Sequence, residues 1–247
     1  MVGGSDLRLT LRRQSPKKTG WVDWVVSEHE VRWPPSEAAL IAVDVWDSHW
    51  SRGAAERVNA LAPRIDATIR AARERGVLIV HAPSDVVAYY SDHPARARAM
   101  DVPQLEPPVL APHDDPPLPI DDSDGGSDTG EPTWHHAWTR QHAAVEIRDQ
   151  DAITADGREI YSLLRARGVG HVLVCGVHTN MCVLNRPFAI KRLVRWGFDV
   201  ALLRDLTDSM YNPLMRPYVS HAEGTRLVVE YIEKFWCATA TSDDLTH

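Results

Sequence analysis

Residues 171–183, HVLVCGVHTNMCV, restrict the fold of this chain more than any other stretch. The run Val172-Leu173-Val174-Cys175 is apolar at every position and is closed by Gly176, the pattern of a strand covered on both faces in a parallel sheet. A polar turn follows, Val177-His178-Thr179-Asn180, and then Met181 and Cys182 open a helix. Open α/β sheets bind their ligands at the carboxyl ends of the strands, and Cys182 falls there. The first N–H groups of a helix lack intrahelical partners and carry partial positive charge, so the sequence predicts a lowered thiol pKa at Cys182. Free cysteine is also among the most buried residue types. That description suits Cys175 inside the strand, whereas strand end, turn and helix start coincide at Cys182 and make it the candidate nucleophile.

The rest of the chain repeats the strand and helix alternation. Residues 38–44, AALIAVD, form an apolar strand ending on a carboxylate, which places Asp44 at the same sheet edge as Cys182. From residue 53 to 75 the apolar positions Val58, Leu61, Ile65, Ile69 and Ala72 recur at helical spacing, with Gly76 as a stop. Residues 77–82, VLIVHA, give the next buried strand, and strand–helix–strand demands a right-handed crossover and a parallel sheet. Further on, 144–147 read as a short strand, 156–167 as a helix, 199–203 as a buried strand and 218–234 as the last helix. Pro187 either kinks the helix after Cys182 or separates a short first turn from a main helix capped by Asn185. The predicted fold class is α/β, a three-layer α/β/α sandwich on a mainly parallel, doubly wound sheet.

Two segments stand apart. Residues 1–35 carry Arg8, Arg12, Arg13, Lys17 and Lys18 and three tryptophans, Trp21, Trp24 and Trp33. They read as an N-terminal extension to a domain spanning 36–247, packing on that domain or on a neighbouring subunit of a homo-oligomer. Residues 101–133 hold nine acidic residues, eight prolines and no Lys or Arg. Such a segment buries too little apolar surface to offset its ordering entropy and reads as an extended or partly disordered insertion, either a surface loop or an active-site lid.

Composition excludes several classes. A net charge of −7 gives no footprint for nucleic acid or an anionic membrane. No apolar run reaches about 18 residues and no continuous signal-type stretch opens the chain, so the expectation is a soluble, cytoplasmic protein. Three cysteines without a CxxC or Cys/His cluster argue against a disulfide framework or a structural zinc site.

The segment GVHTNMCV resembles the nucleophile segment of the isochorismatase-like cysteine hydrolases, and IAVDVWDSHW resembles their strand-end aspartate segment. The resemblance implies a hydrolase in which Cys182 is the nucleophile and Asp44 the base. It also implies a cis Val177–His178 peptide and an oxyanion hole formed by the N–H groups of His178 and Cys182, with Val177 and Thr179 in the same turn. Trp46 stands where the family has glutamine and His49 near its phenylalanine, so both become candidate substrate-binding residues. The loop HAPSDVVAYYSDHP offers His81, Asp85, Asp92 and His93 but not the Asp-x-His of the metal-holding branch, and adjacent His135 and His136 point apart, so no metal or other cofactor is expected.

The family also places a lysine after the strand preceding the nucleophile strand. None of the four lysines, Lys17, Lys18, Lys191 and Lys234, falls there. Alignment on the helix at 156–167 puts Arg148 or Asp149 at that position, with Arg140 as an alternative cation, although arginine cannot readily lose a proton. The implied activity is cleavage of a C–N bond in a small amide or carbamoyl substrate through a thioester. Two alternatives stand beside it: a degenerate member that binds a ligand or partner, and a vinyl-ether hydrolase acting without a nucleophilic thiol.

Overall fold

The structure, a computed structural model, describes residues 5–19, 21–133 and 137–246. In chain order its strands and helices are β1 (Leu7–Thr19), β2 (Trp21–Trp33), β3 (Ala38–Val43), α1 (Arg52–Glu74), β4 (Leu78–Ala82), α2 (Pro94–Met100), β5 (Ala152–Ile153), α3 (Gly157–Ala166), β6 (His171–Val177), α4 (Cys182–Asn185), α5 (Ile190–Arg195), β7 (Asp199–Asp208), α6 (His221–Phe235), β8 (Ala238–Ala240) and α7 (Asp243–Thr246). One eight-stranded sheet runs β2-β1-β8-β7-β6-β3-β4-β5. Its six strands from β8 to β5 are parallel, and the β1–β2 hairpin joins antiparallel to β8. From β3 the chain winds outward to β4 and β5, then returns to β6 on the opposite side of β3. The switch point of the doubly wound sheet therefore lies between β3 and β6, where such sheets open a ligand crevice.

Strand alternation divides the core. Ala39, Ile41, Val43, Val172 and Val174 face Ile160 and Leu163 of α3, Leu193 of α5 and Ile232 of α6. Ala38, Leu40, Leu173 and Cys175 face Val58, Ile65 and Ile69 of α1 and Leu245 of α7. Both faces of β3 and β6 are covered, which is why their sequences read as continuous apolar runs. No helix among the described residues is long and apolar enough to cross a membrane.

Several local expectations change. The N-terminal segment packs on the domain by extending its sheet: Leu7, Leu9, Leu11 and Trp33 alternate into the α1-side core from β1 and β2. Residues 144–147 make no strand, because their backbone turns back locally (Val145 N–H to His142 O) or bonds a side chain (Glu146 N–H to Asp66 Oδ1), and β4 pairs instead with Ala152–Ile153. Pro187 separates α4 from α5, and the N-cap of α5 is Ala189 rather than Asn185.

Residues 101–133 carry no helix or strand, yet they are tied down along their length. The Leu105 N–H donates to Ser162 Oγ of α3 at 2.9 Å, His113 stacks on Trp236, and Asp115 accepts from Lys191 of α5 and Tyr231 of α6. Ile120 is buried among the α3–α6 side chains. Polar anchors distributed along a proline-stiffened chain do what apolar burial would otherwise do.

Candidate active site

Asp44 follows β3 directly in a left-handed backbone conformation, φ +48°, which is uncommon outside glycine and concentrates at functional sites. Its carboxylate is fully buried. One oxygen accepts the Ser84 N–H at 2.7 Å and the other accepts Arg186 Nε at 3.0 Å. Burial raises the Asp44 pKa, and this outweighs the lowering by the Arg186 charge, the Cys182 thiol and Ser84. A buried carboxylate whose proton affinity is raised takes up a proton more readily than an exposed one.

Across the switch point, Gly176 adopts φ +113°, and a Cβ there would lie 2.0 Å from the Val43 carbonyl oxygen. Only glycine lets β6 approach β3 this closely beside Asp44. The Val177–His178 peptide bond is cis. In the turn that follows, the Thr179 N–H donates to Asp208 O, while those of Met181 and Val183 donate to His178 O. The N–H groups of His178 and Cys182 have no backbone partner among the described residues.

Cys182 begins α4, but its thiol pKa is not lowered as its place at a helix start predicts. Burial raises it, the Asp44 charge raises it further, and Arg186 with the His178 N–H only partly offset this. A four-residue helix supplies too little dipole to reverse that order. The resting thiol therefore keeps its proton beside a buried base. Cys175 and Cys237 are also pushed up, to about 12, by burial, and both are buried in the core.

Cys182 and Arg186 open onto a cavity of about 360 Å³ whose walls include Trp46, His49, Trp50, Trp138, His178, Met181 and Met210. Trp46 and Trp138 stack at 4.0 Å, and the Trp46 indole N–H donates to the Ser84 carbonyl at 3.1 Å. His49 lies 4.9 Å from His178, edge to face. Burial lowers the His178 pKa to about 3 and the His49 pKa to about 4, with the Arg57 charge adding to both. Both imidazoles are neutral at ordinary pH. The 122–133 part of the acidic segment completes the wall through Gly125 and Thr133. Gly126, at φ +76°, lies so close to Met210 that a Cβ would fall 2.6 Å from its backbone.

Of the residues expected from sequence, Cys182, Asp44, His178, Trp46 and His49 converge. Val177 and Thr179 are buried behind the turn, where the Thr179 hydroxyl bonds that of Thr207 at 2.7 Å. Arg148 does not converge. Its side chain pairs with Glu146 at 3.1 Å, half exposed, because its backbone N–H is fixed on Asp151 in the turn before β5. Arg140 is directed to Tyr89 and Asp47. The cation at the site is Arg186, which bridges Asp44 and Asp85. Its signal in the sequence was its spacing: four residues after Cys182 is one helical turn, the same side of the chain. Of the candidate metal ligands, His81 is buried between Gln141 and Asp151, His135 and His136 lie outside the described residues, and no three His, Cys, Asp or Glu side chains group to hold a metal among the described residues.

A family description, the isochorismatase domain, matches residues 38–214. The chain belongs to the isochorismatase family. Solved isochorismatase-fold structures agree on the architecture. A cysteine hydrolase from Pseudomonas syringae pv. phaseolicola is 21% identical, with a TM-score of 0.56 over 87% of this chain and 94% of that one. An isochorismatase family protein from Burkholderia thailandensis is 14% identical, with a TM-score of 0.50 over 85% and 94%. Among curated proteins none matches this chain. The match begins at residue 38, so the β1–β2 hairpin lies outside the isochorismatase domain as matched, although it extends the same sheet.

Proposed function

We propose that this isochorismatase-family member is a cysteine hydrolase that cleaves a C–N bond of a small amide or carbamoyl compound. The observation that carries the reading is a fully buried Asp44 carboxylate held by Arg186 at the switch point, beside Cys182, with Cys182 and Arg186 opening on one cavity. As Cys182 Sγ attacks the substrate carbonyl, its proton passes to Asp44 and the carbonyl electron pair moves onto oxygen. The N–H groups of His178 and Cys182, which have no backbone partner among the described residues, receive that oxyanion, the His178 N–H passing to it from the Cys182 sulfur. Collapse breaks the C–N bond, and the Asp44 proton goes to the departing nitrogen. Water then gives a proton to Asp44 and its oxygen to the thioester carbon, and the thiolate leaves and regains the proton.

Arg186 supports this reading where the family's lysine is missing. A permanent cation beside Asp44 keeps enough negative charge there to accept a proton, without itself entering the proton relay. This weighs against the non-hydrolytic alternative, which rests on the missing lysine. Intact-protein mass spectrometry after rapid quench with an amide substrate is the test. An acyl adduct on Cys182, lost in Cys182→Ser, is expected. Turnover that persists in Cys182→Ala would sink the proposal.

A further inference from the structure

The β1–β2 hairpin lies outside the matched isochorismatase domain, and its outer strand ends the sheet. β2 is thirteen residues long, pairs with β1 in an unbroken register, and has no strand on its other side among the described residues. Residues 25–30 are all exposed, Val25 by 44% and Val26 by 48%. Proteins protect such an edge with proline, lysine, a bulge or a covering loop. Between Trp21 and Trp33 there is neither proline nor lysine, and a row of backbone groups stands open. Two observations fix which groups these are. Pro16 of β1 lies opposite Trp24 and has no N–H to give, which suits a pair whose backbone groups point away from each other. The Trp24 N–H accordingly donates to the Asp23 carboxylate at 2.8 Å. Backbone direction alternates along a strand, so Trp24, Val26, Glu28 and Glu30 present their N–H and C=O groups at the free edge.

This edge complements itself. When two copies pair antiparallel about a two-fold axis, the axis passes through one residue and that residue sets every other pair. With Glu28 on the axis two carboxylates meet, and with His29 on it Glu28 faces Glu30 twice. With Ser27 on it, Asp23 faces Val31 and His29 faces Val25. With Val26 on the axis the opposing pairs are complementary. Val26 meets its own copy, and Asp23 opposes the second copy's His29, a hydrogen-bond acceptor against a ring donor. Glu28 opposes the second copy's Trp24, over whose ring Lys234 lies at 5.6 Å from the centroid, so an acid meets a cation there.

We propose that β2 is a homotypic interface at which two copies of this chain join edge to edge, antiparallel with Val26 on the two-fold axis, into one continuous sheet. Pairing passes the Trp24 N–H from its own Asp23 to the second copy's Glu28 carbonyl and frees the Asp23 carboxylate for the second copy's His29. Hydrogen-bonded antiparallel neighbours hold their Cα atoms about 5.5 Å apart, within reach of a disulfide, so cross-linking reads the register. Val26→Cys, Ser27→Cys and Glu28→Cys each suit a different axis. Under mild oxidation Val26→Cys should form a covalent dimer at least ~10-fold faster than the other two, with the wild type as the baseline for its own three cysteines. Val26→Pro removes an N–H that faces the free edge and none that bonds β1. In sedimentation it should halve the mass of the wild-type species while the thermal transition stays in place. Should that variant unfold, His29→Asp, at an exposed position, sets a carboxylate against the second copy's Asp23 and should weaken association about 10-fold. A wild type that stays monomeric at every concentration would leave the edge to a strand of another protein and overturn the proposal. Faster cross-linking at Ser27 or Glu28, or unchanged association in both Val26→Pro and His29→Asp, would overturn it as well.

Discussion

Two buried aspartates flank β6, the strand that leads to Cys182, with Asp44 after β3 and Asp208 at the end of β7, and their proton affinities move in opposite directions. Each touches an arginine. Burial raises both, yet at Asp208 the hydrogen bond and charge of His221, with the charge of Arg57, outweigh burial and hold the pKa below the ordinary value. At Asp44 a single arginine, shared with Asp85, does not outweigh it, and the neighbour on the other side is a thiol rather than a cation. Asp208 is a fixed anion that ties β7, α1, α6 and, through Arg57 and Asp128, the acidic segment into one unit. In the proposed reaction Asp44 exchanges a proton. The number of cations within reach, rather than burial, separates a structural carboxylate from a chemical one.

The comparison predicts distinct losses. Asp44→Asn should lower kcat by roughly 10⁴-fold while leaving the thermal transition in place, read by steady-state kinetics and calorimetry on one preparation. Arg186→Ala should cost about 10²- to 10³-fold in kcat, and Arg186→Lys should recover part of it because the charge returns without the two-pronged geometry. Asp208→Asn should reverse that balance, losing about 2 kcal/mol of stability in urea melts because Arg57 and His221 lose a charged partner. If Asp208→Asn instead abolished turnover in a stably folded protein, the assignment of roles would be broken.

A smaller effect lies in pH. Folding raises the His221 pKa above 6.5, because its bond and charge pairing with Asp208 outweigh burial. The ionised pair therefore contributes fully below about 6.5 and is lost as pH rises through the folded value. Residues 122–133, anchored by Asp128 near His221 and Arg57, should be cut faster by a protease at pH 9 than at pH 6, and His221→Gln should flatten that difference. The smallest effect belongs to Arg148→Ala, expected within about 0.5 kcal/mol of wild type and without change in kcat, since among the described residues this side chain pairs only with Glu146, at the surface.

The sequence by itself determined that β3 and β6 are buried strands and that Asp44 and Cys182 share a sheet edge, because two covered faces force continuous apolar runs, the first running into Asp44 and the second leading through one turn to Cys182. It also marked Trp46 and His49 as departures from the family pattern, and both line the cavity. Only the tertiary structure decided which cation serves the site, since Arg186 and Arg148 are equally charged in sequence and differ in what folds beside them. It decided the sign of the Cys182 shift as well, because desolvation and the Asp44 charge come from elements distant in the chain. The acidic segment shows the same limit: its composition describes what it cannot bury, but its anchors, Arg57, Lys191 and Tyr231, lie 71 to 116 residues away along the chain. Periodicity and short motifs are local and can be read from order alone, whereas proton affinities and long-range polar ties depend on distances that only folding sets.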